Sequence, residues 1–455
     1  MLMADFSFVI QTIFHPTNIY ELLLRHRQFI FLFAFIMDAL IIYRFGLVGA
    51  GFALFYEFSK FYVFGDRFLA EGLIIYLMVY MLGVIWYKFS NRNITGKDYI
   101  LSGIFTWLIL FLREPYALVG LATYSIILFN RTQYKLKTAS FAIFLVLSLI
   151  ILALTSIKEY IFQVFTINGS FLLSGGPKGD GFLINGFKIF FYPIYLYFGG
   201  TWNLFRYLIL GLDTVFLALL VLYIKFYKNF RLILILILLL GFANLRLVPP
   251  GFIFYGAFHL LPWYGMFIFS IFLILKEVKE KNKKIFWLSS VILIILFSYL
   301  TLSPSSYTRE KINPQYELIT NYGNVLQIGE VVRSLSKPQD TLFLDGADDL
   351  IYWQAKLLSP YKYSWYTSVM PFFPIYTKAR QEMFTYNPPD FYYAFCTNGF
   401  PQSLPPKEVL KQYQPLYSYG KPTCLYIKKT KIPQITANQW KNAKDFKYEL
   451  TEINN

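Results

Sequence analysis

Ten predominantly apolar stretches, joined by short polar connections, fill most of positions 29–303 and leave the chain few ways to fold. A helix that crosses the hydrocarbon needs about 20 such residues. A bilayer accepts only structures whose backbone hydrogen bonds close internally. The cleanest runs are 68–87, 138–157, 204–224, 252–275 and 285–303. Shorter ones are 29–43, 46–59, 99–112, 116–129 and 231–245, several of which cross only if tilted or if neighbours thin the membrane. The segment 187–200, FKIFFYPIYLYFGG, is aromatic and broken by Pro193, and reads as a helix lying at the interface. Only 15% of the 455 residues are charged, against roughly a quarter in soluble domains. The expectation is an α-helical polytopic membrane protein with about ten transmembrane helices.

A formal net charge of +16 raises the question of nucleic acid. No zinc-ligand spacing, RNP-like motif or basic helix with interleaved aromatics accompanies it, so nucleic acid is not an expected partner. The cations gather instead in loops 88–97, 130–137, 225–231 and 276–284. Assigning all four to the cytoplasm leaves an even number of crossings between each successive pair. Connections 60–67, 113–115, 158–203 and 246–251 then face outside, as does everything after 304. The start of the chain lacks the ordered basic region, short apolar core and small-residue site of a signal peptide.

After Pro304 the chain turns polar and rich in Pro and Tyr, with short alternating stretches TLFLDG (341–346), DFYYAF (390–395) and TCLYIKK (423–429). Apolar residues at helical spacing in 324–335 precede the first of these. Helix followed by strands predicts a small extracytoplasmic α/β domain over 304–455, after a transmembrane domain over 29–303. Both cysteines, Cys396 and Cys424, fall in it, where an oxidising compartment permits a disulfide if the backbones approach.

The outer connections hold a large share of the ionisable groups. KFYVFGDRFLAEG (60–72) places Asp66, Arg67 and Glu71 at the mouth of a span. They are read either as a charge-paired helix end, with Glu71 neutralising Arg67, or as a carboxylate poised as a general base. Arg113 and Glu114 sit between two short apolar helices, as a mutually satisfied pair or as an arginine facing an anionic headgroup. Arg246 and His259 lie at, and one to two turns inside, the same surface; ionisable groups at such depth tend to mark sites. SGGPKGDG (174–181) offers Lys178 as a weak phosphate contact. Asp38 and Asp213 read as satisfied structural carboxylates. No His/Cys cluster argues for a metal, and no G-x-S-x-G elbow for a hydrolase.

FLAEGLIIYLMVYMLGV (68–84), SGIFTWLILFLREPYALVGLATY (102–124), FHLLPWYGMFIF (258–269) and the stretch 336–368 together resemble the polytopic lipid-phosphate-sugar glycosyltransferases of the GT-C fold, in the branch with the RgtA/B/C/D-like domain. The resemblance covers about residues 29–400 through loose patterns. The family opens with a further helix and an outer loop bearing an acidic pair; here residues 1–28 resemble only the end of that loop, with Asp5 the sole carboxylate before Glu21.

The resemblance implies inverting transfer of a sugar from a polyprenyl-phosphate donor to a glycan, lipid or protein acceptor outside the plasma membrane. A carboxylate takes the acceptor proton, and cations stabilise the departing phosphate. By position, Glu71 and Asp66 would be the catalytic acids, and Arg67, Arg113, Arg246, His259 and Lys178 the phosphate-facing group. Tyr363, Trp365 and Tyr366, in an aromatic run starting at Tyr361, would stack on the acceptor or else pack internally. The resemblance names no certain cofactor and leaves a divalent metal open. The alternatives are a transporter or flippase of lipid-linked saccharides and a non-catalytic truncated relative. The absence of an internal repeat weighs against a transporter.

Overall fold

A computed structural model describes residues 2–129, 133–162, 166, 182–198, 203–247, 255–302, 314–346, 349–363, 374–394, 396–397, 400–401 and 410–450. The chain divides into two compact units: Met1–His15 with Leu24–Val164 and Pro177–Lys311, and Pro16–Leu23 with Phe165–Gly176 and Ile312–Asn455.

In the first unit each of the ten apolar runs is helical. After α1 (Leu2–Phe14) come α2 (Ile19–Phe45), α3 (Leu47–Ser59), α4 (Ala70–Phe89), α5 (Gly96–Leu112), α6 (Ala117–Leu128) and α7 (Tyr134–Leu154). Then follow α8 (Leu204–Tyr227), α9 (Phe230–Ala243), α10 (Leu261–Lys281) and α11 (Lys283–Leu302). Among the described residues six helices are long and apolar enough to cross a membrane: Ile19–Phe45, Ala70–Phe89, Tyr134–Leu154, Leu204–Tyr227, Ala257–Lys281 and Lys283–Leu302. The fold is that of a helical, multi-pass membrane protein. The first of these begins ten residues before the apolar run that predicted it. Apolarity stops at the charged stretch 21–28, whereas a helix does not; Asn18 Oδ1 caps it by accepting from the Glu21 amide at 3.0 Å.

Helices α4 and α10 form the centre. Every residue from Ala70 to Tyr87 is buried, as are all but Phe272 and Lys276 between Leu261 and Val278. They run parallel and close: a Cβ on Gly265 would come within 2.2 Å of Ile75 Cδ1, so the crossing admits only glycine there without repacking. The surrounding helices put apolar side chains outward instead, such as Phe31 and Phe35 of α2, Val146 and Leu149 of α7, and Ile294 and Ile295 of α11.

One end of the bundle is clamped by ion pairs. Arg44 donates through Nε to Asp98 Oδ1 at 2.7 Å and through a terminal nitrogen to Oδ2 at 2.9 Å. Tyr80 and the backbone and hydroxyl of Thr95 complete the shell around this fully buried carboxylate. Arg92 pairs with Glu277 at 2.8 Å, and Lys88 donates to the last carbonyls of α6. The loops predicted to be basic thus meet at a common end.

The second unit is α/β. After α12 (Pro314–Leu335) come β1 (Leu342–Asp345), α13 (Leu350–Ala355), α14 (Pro374–Tyr386), β2 (Phe391–Ala394), β3 (Cys396–Thr397), β4 (Phe400–Pro401), β5 (Tyr413–Ser418), β6 (Lys421–Lys428), α15 (Ala437–Asp445) and β7 (Tyr448–Glu449). The sheet order is β1-β2-β6-β5-β7, with β1 and β2 parallel and the other neighbours antiparallel; β3 and β4 pair separately. Its core joins Ile328, Val332, Leu342, Leu344, Phe391, Leu425 and Ile427. Ile19 belongs to it too, its amide donating to Gln354 Oε1 at 2.9 Å, so this unit includes a segment that the expected 304–455 boundary leaves out. Cys424 is disulfide-bonded, and no described cysteine is free.

Asp98→Ala strips the half-buried Arg44 guanidinium of its partner and removes the acceptor of Tyr80 and Thr95, and should cost about 3 kcal/mol. The check is the thermal unfolding midpoint of the purified protein in detergent. An unchanged midpoint would mean that water already screens Arg44.

Candidate functional site

The opposite end of the bundle gathers four charged or polar side chains from four segments. Glu71 stands in the first turn of α4 and is 1% exposed. Arg113 follows α5 in extended backbone, where Pro115 opens a short 3-10 turn Glu114–Tyr116. Arg246 follows α9, and His259 lies in the 3-10 turn Tyr255–Leu260 that leads into α10.

His259 Nδ1 stands 3.1 Å from Glu71 Oε1, and one terminal nitrogen of Arg246 approaches His259 Nε2 at 2.5 Å and Nδ1 at 3.1 Å, so Nε2 is its nearer acceptor. An arginine only donates and a carboxylate only accepts. The network therefore assigns the Nδ1–H tautomer: Arg246 donates to Nε2, and Nδ1–H donates to Glu71. Arg113 Nε lies 3.3 Å from Glu71 Oε1, a contact of charges without hydrogen-bond alignment. Glu71 Oε2 is buried and accepts no hydrogen bond among the described residues. The Tyr116 hydroxyl reaches the carbonyl of His259 at 3.4 Å.

With a neutral imidazole, two guanidiniums face the buried Glu71 carboxylate, and Glu114 also acts on Arg246. Arg246 is exposed and Arg113 about a third so, while Glu71 lies beneath them. Both guanidiniums stay charged, because an arginine does not give up its proton in a protein. The N-termini of α4 and α10 open at the same end and add positive dipole. The two guanidiniums are thus the donors that the cluster turns outward, above the buried acid.

Asp66 lies apart from this cluster. It lines a cavity of 530 Å³ together with Arg27, Gln28, Phe31, Lys60 and Phe61. Arg67 stacks over Phe64 at 4.3 Å and does not reach Glu71. The pairing expected at one helical turn fails because α4 starts only at Ala70, with Leu69 extended at the cap. Arg113 likewise turns to Glu71 rather than to its neighbour Glu114. Tyr361 and Tyr363, in the α/β unit, join an aromatic cluster in which Tyr361 packs on Phe343 and Tyr363 on Tyr376. Lys178, Trp365 and Tyr366 lie outside the described residues.

Two expectations are corrected. Asp213 is not a satisfied carboxylate: it is fully buried, and neither oxygen has a hydrogen-bond partner among the described residues. Asp38 Oδ1 is likewise without one. Whether a donor faces an acid across a helix interface is decided by packing, not by the residues beside it in the chain. Sequence reasoning also missed Glu57, which accepts from Tyr76 at 2.5 Å and pairs with the buried Lys60. The stretch LFYEF (54–58) around it carries no motif that could have marked it. No group of three or more His, Cys, Asp or Glu side chains is placed to hold a metal ion among the described residues.

No protein-family model, no curated protein and no solved structure matches this chain.

Glu71→Ala leaves Arg113 and His259 without their acceptor and should destabilise the bundle by about 2 kcal/mol. Glu71→Gln retains an acceptor for Nδ1–H and should cost less. Thermal unfolding of both variants in detergent measures the difference; equal losses would refute the assigned donor direction.

Proposed function

We propose that the chain is a membrane glycosyltransferase that moves a sugar from a polyprenyl-phosphate donor to an acceptor in cell-envelope glycan, lipid or protein glycosylation. The observation that carries this reading is the convergence of Arg113 and Arg246 on buried Glu71 through His259, at the shared N-terminal end of the two central helices. A diphosphate-free lipid donor presents a phosphate at the depth of a bilayer surface, and a doubly cationic mouth there suits it.

In the proposed reaction the acceptor oxygen attacks the anomeric carbon as the bond from that carbon to the phosphate oxygen breaks. The leaving lipid phosphate gains negative charge, which Arg113 and Arg246 stabilise. Glu71 holds the cations in place by its buried carboxylate and His259 fixes Arg246. Asp66, half-buried beside its cavity, is the better placed of the two acids to take the acceptor proton. Ten crossings, the four basic loops on the cytoplasmic side of the plasma membrane and the α/β unit outside complete the arrangement.

Asp213 favours a second reading, since an unpartnered acid deep in a spanning helix is a common mark of an ion path. Under it the protein transports lipid-linked saccharides and makes no new glycosidic bond.

Purified membranes given radiolabelled polyprenyl-phosphate sugars discriminate the two. Arg113→Ala and Arg246→Ala should each lower transfer by about 100-fold or more, and Asp66→Asn and Glu71→Gln should also lower it, at unchanged expression. Full transfer by both arginine variants sinks the site, and labelled sugar crossing sealed vesicles without transfer would establish the transporter.

A further inference from the structure

At the clamped, basic end of the bundle a cavity of 710 Å³ opens between the α2–α3 turn and the α10–α11 hairpin. Its walls are apolar, from Phe45, Leu47, Val48, Phe272, Leu275 and Phe286, and its rim carries Lys276, Lys279 and Lys283. One acid, Glu280, also lines it, but its carboxylate is engaged by Arg92 at 3.1 Å. Lys276 is partly anchored on the Tyr87 hydroxyl at 3.1 Å, and Lys279 lies over the Phe286 ring. The turn that opens the cavity depends on Gly46, whose φ of 63° and ψ of −131° suit glycine and whose missing side chain would face empty space.

The cavity does not end there. Phe272, Leu275 and Ser290 also line a second, 210 Å³ crevice with Gly51, Leu54, Phe55, Leu293, Ile294 and Phe297, which contains no charged residue. The two form one path between α3, α10 and α11. From Lys283 to Phe297 it extends ~21 Å at 1.5 Å per residue, which exceeds half of the ~30 Å hydrocarbon core. Cations at the mouth and an uncharged, apolar tail, with Ser290 its one hydroxyl, of about one leaflet's depth describe an amphiphile with a negative head.

We propose that this path is a binding site for an anionic glycerophospholipid of the leaflet at the basic end. The lysines hold the headgroup phosphate, as basic pockets between membrane helices do, and one acyl chain lies along Leu275, Ser290, Leu293 and Phe297. The site is at the other end of the bundle from Glu71 and does not depend on the proposed transfer activity.

The full chain, purified in detergent and titrated with phosphatidylglycerol or phosphatidylcholine, tests this by native mass spectrometry. Wild type should bind phosphatidylglycerol at least about tenfold more tightly. Lys279→Gln combined with Lys283→Gln should remove the preference while leaving the Lys276–Tyr87 bond. Ser290→Trp, which fills the junction of cavity and crevice without changing charge, should weaken both lipids. Circular dichroism and unfolding midpoints verify that each variant is folded. Equal binding of the two lipids by wild type, or an undiminished preference in the double variant, overturns the proposal. So would a lipid-free dimer that Ser290→Trp dissociates, since a second copy would then occupy the path.

Discussion

A carboxylate buried at the ends of two central helices governs the anion-facing end of this protein. Glu71 has almost no contact with solvent, and an isolated charge in such surroundings costs far more than a folded chain can offset. Arg113 and His259 must therefore reach it, and Arg246 must reach His259. Three separate connections, after α5, after α9 and before α10, are drawn to one point by that requirement. Two arginines stand over one buried acid with Glu114 beside them, and this concentration of charge is what makes the end chemically distinctive.

The far end solves the same electrostatic problem differently. Asp98 accepts from Arg44, Tyr80 and Thr95, so its oxygens are fully occupied. Glu277 takes Arg92 and the Trp86 indole. These acids are spent on holding helix ends together, and the lysines of the α10–α11 hairpin remain at the surface around an apolar groove. One bundle thus carries cations at both ends, organised by a buried acid at one and set over a greasy channel at the other.

The α/β unit is held by ordinary core packing with two buried ionic staples. Arg380 and Tyr392 both bind Asp345 at the end of β1, and Lys431 pairs with Asp340 where the chain enters it. The aromatic rings around Phe343 and Tyr392 fill the adjoining space. Tyr361 is consumed by that packing, so aromatic composition alone overstates how many rings are open to a ligand.

Apolar runs and the alternation of basic loops carried the ten helices, because hydrocarbon burial and the cost of moving cations across it act on composition along the chain. In the α/β unit α12 and the strands β1, β2 and β6 were legible in the same way, whereas β5, β7 and the later helices were not. Arg113, Arg246, His259 and Glu71 could be singled out one at a time, since an ionisable group beside an apolar run is conspicuous. Their grouping was implied by the family resemblance and not by local spacing: the contacts among residues 71, 113, 246 and 259 form only once parallel helices α4 and α10 are packed, and the local pairs suggested by spacing, Glu71 with Arg67 and Arg113 with Glu114, gave way to long-range ones. Folding also decided that Asp213 has no donor, that Ile19 joins the α/β core and that Lys276, Lys279 and Lys283 border a groove. Sequence determines what each segment must hide from water or lipid; which charge satisfies which, and where a cavity is left, depends on distances that exist only after the helices have docked.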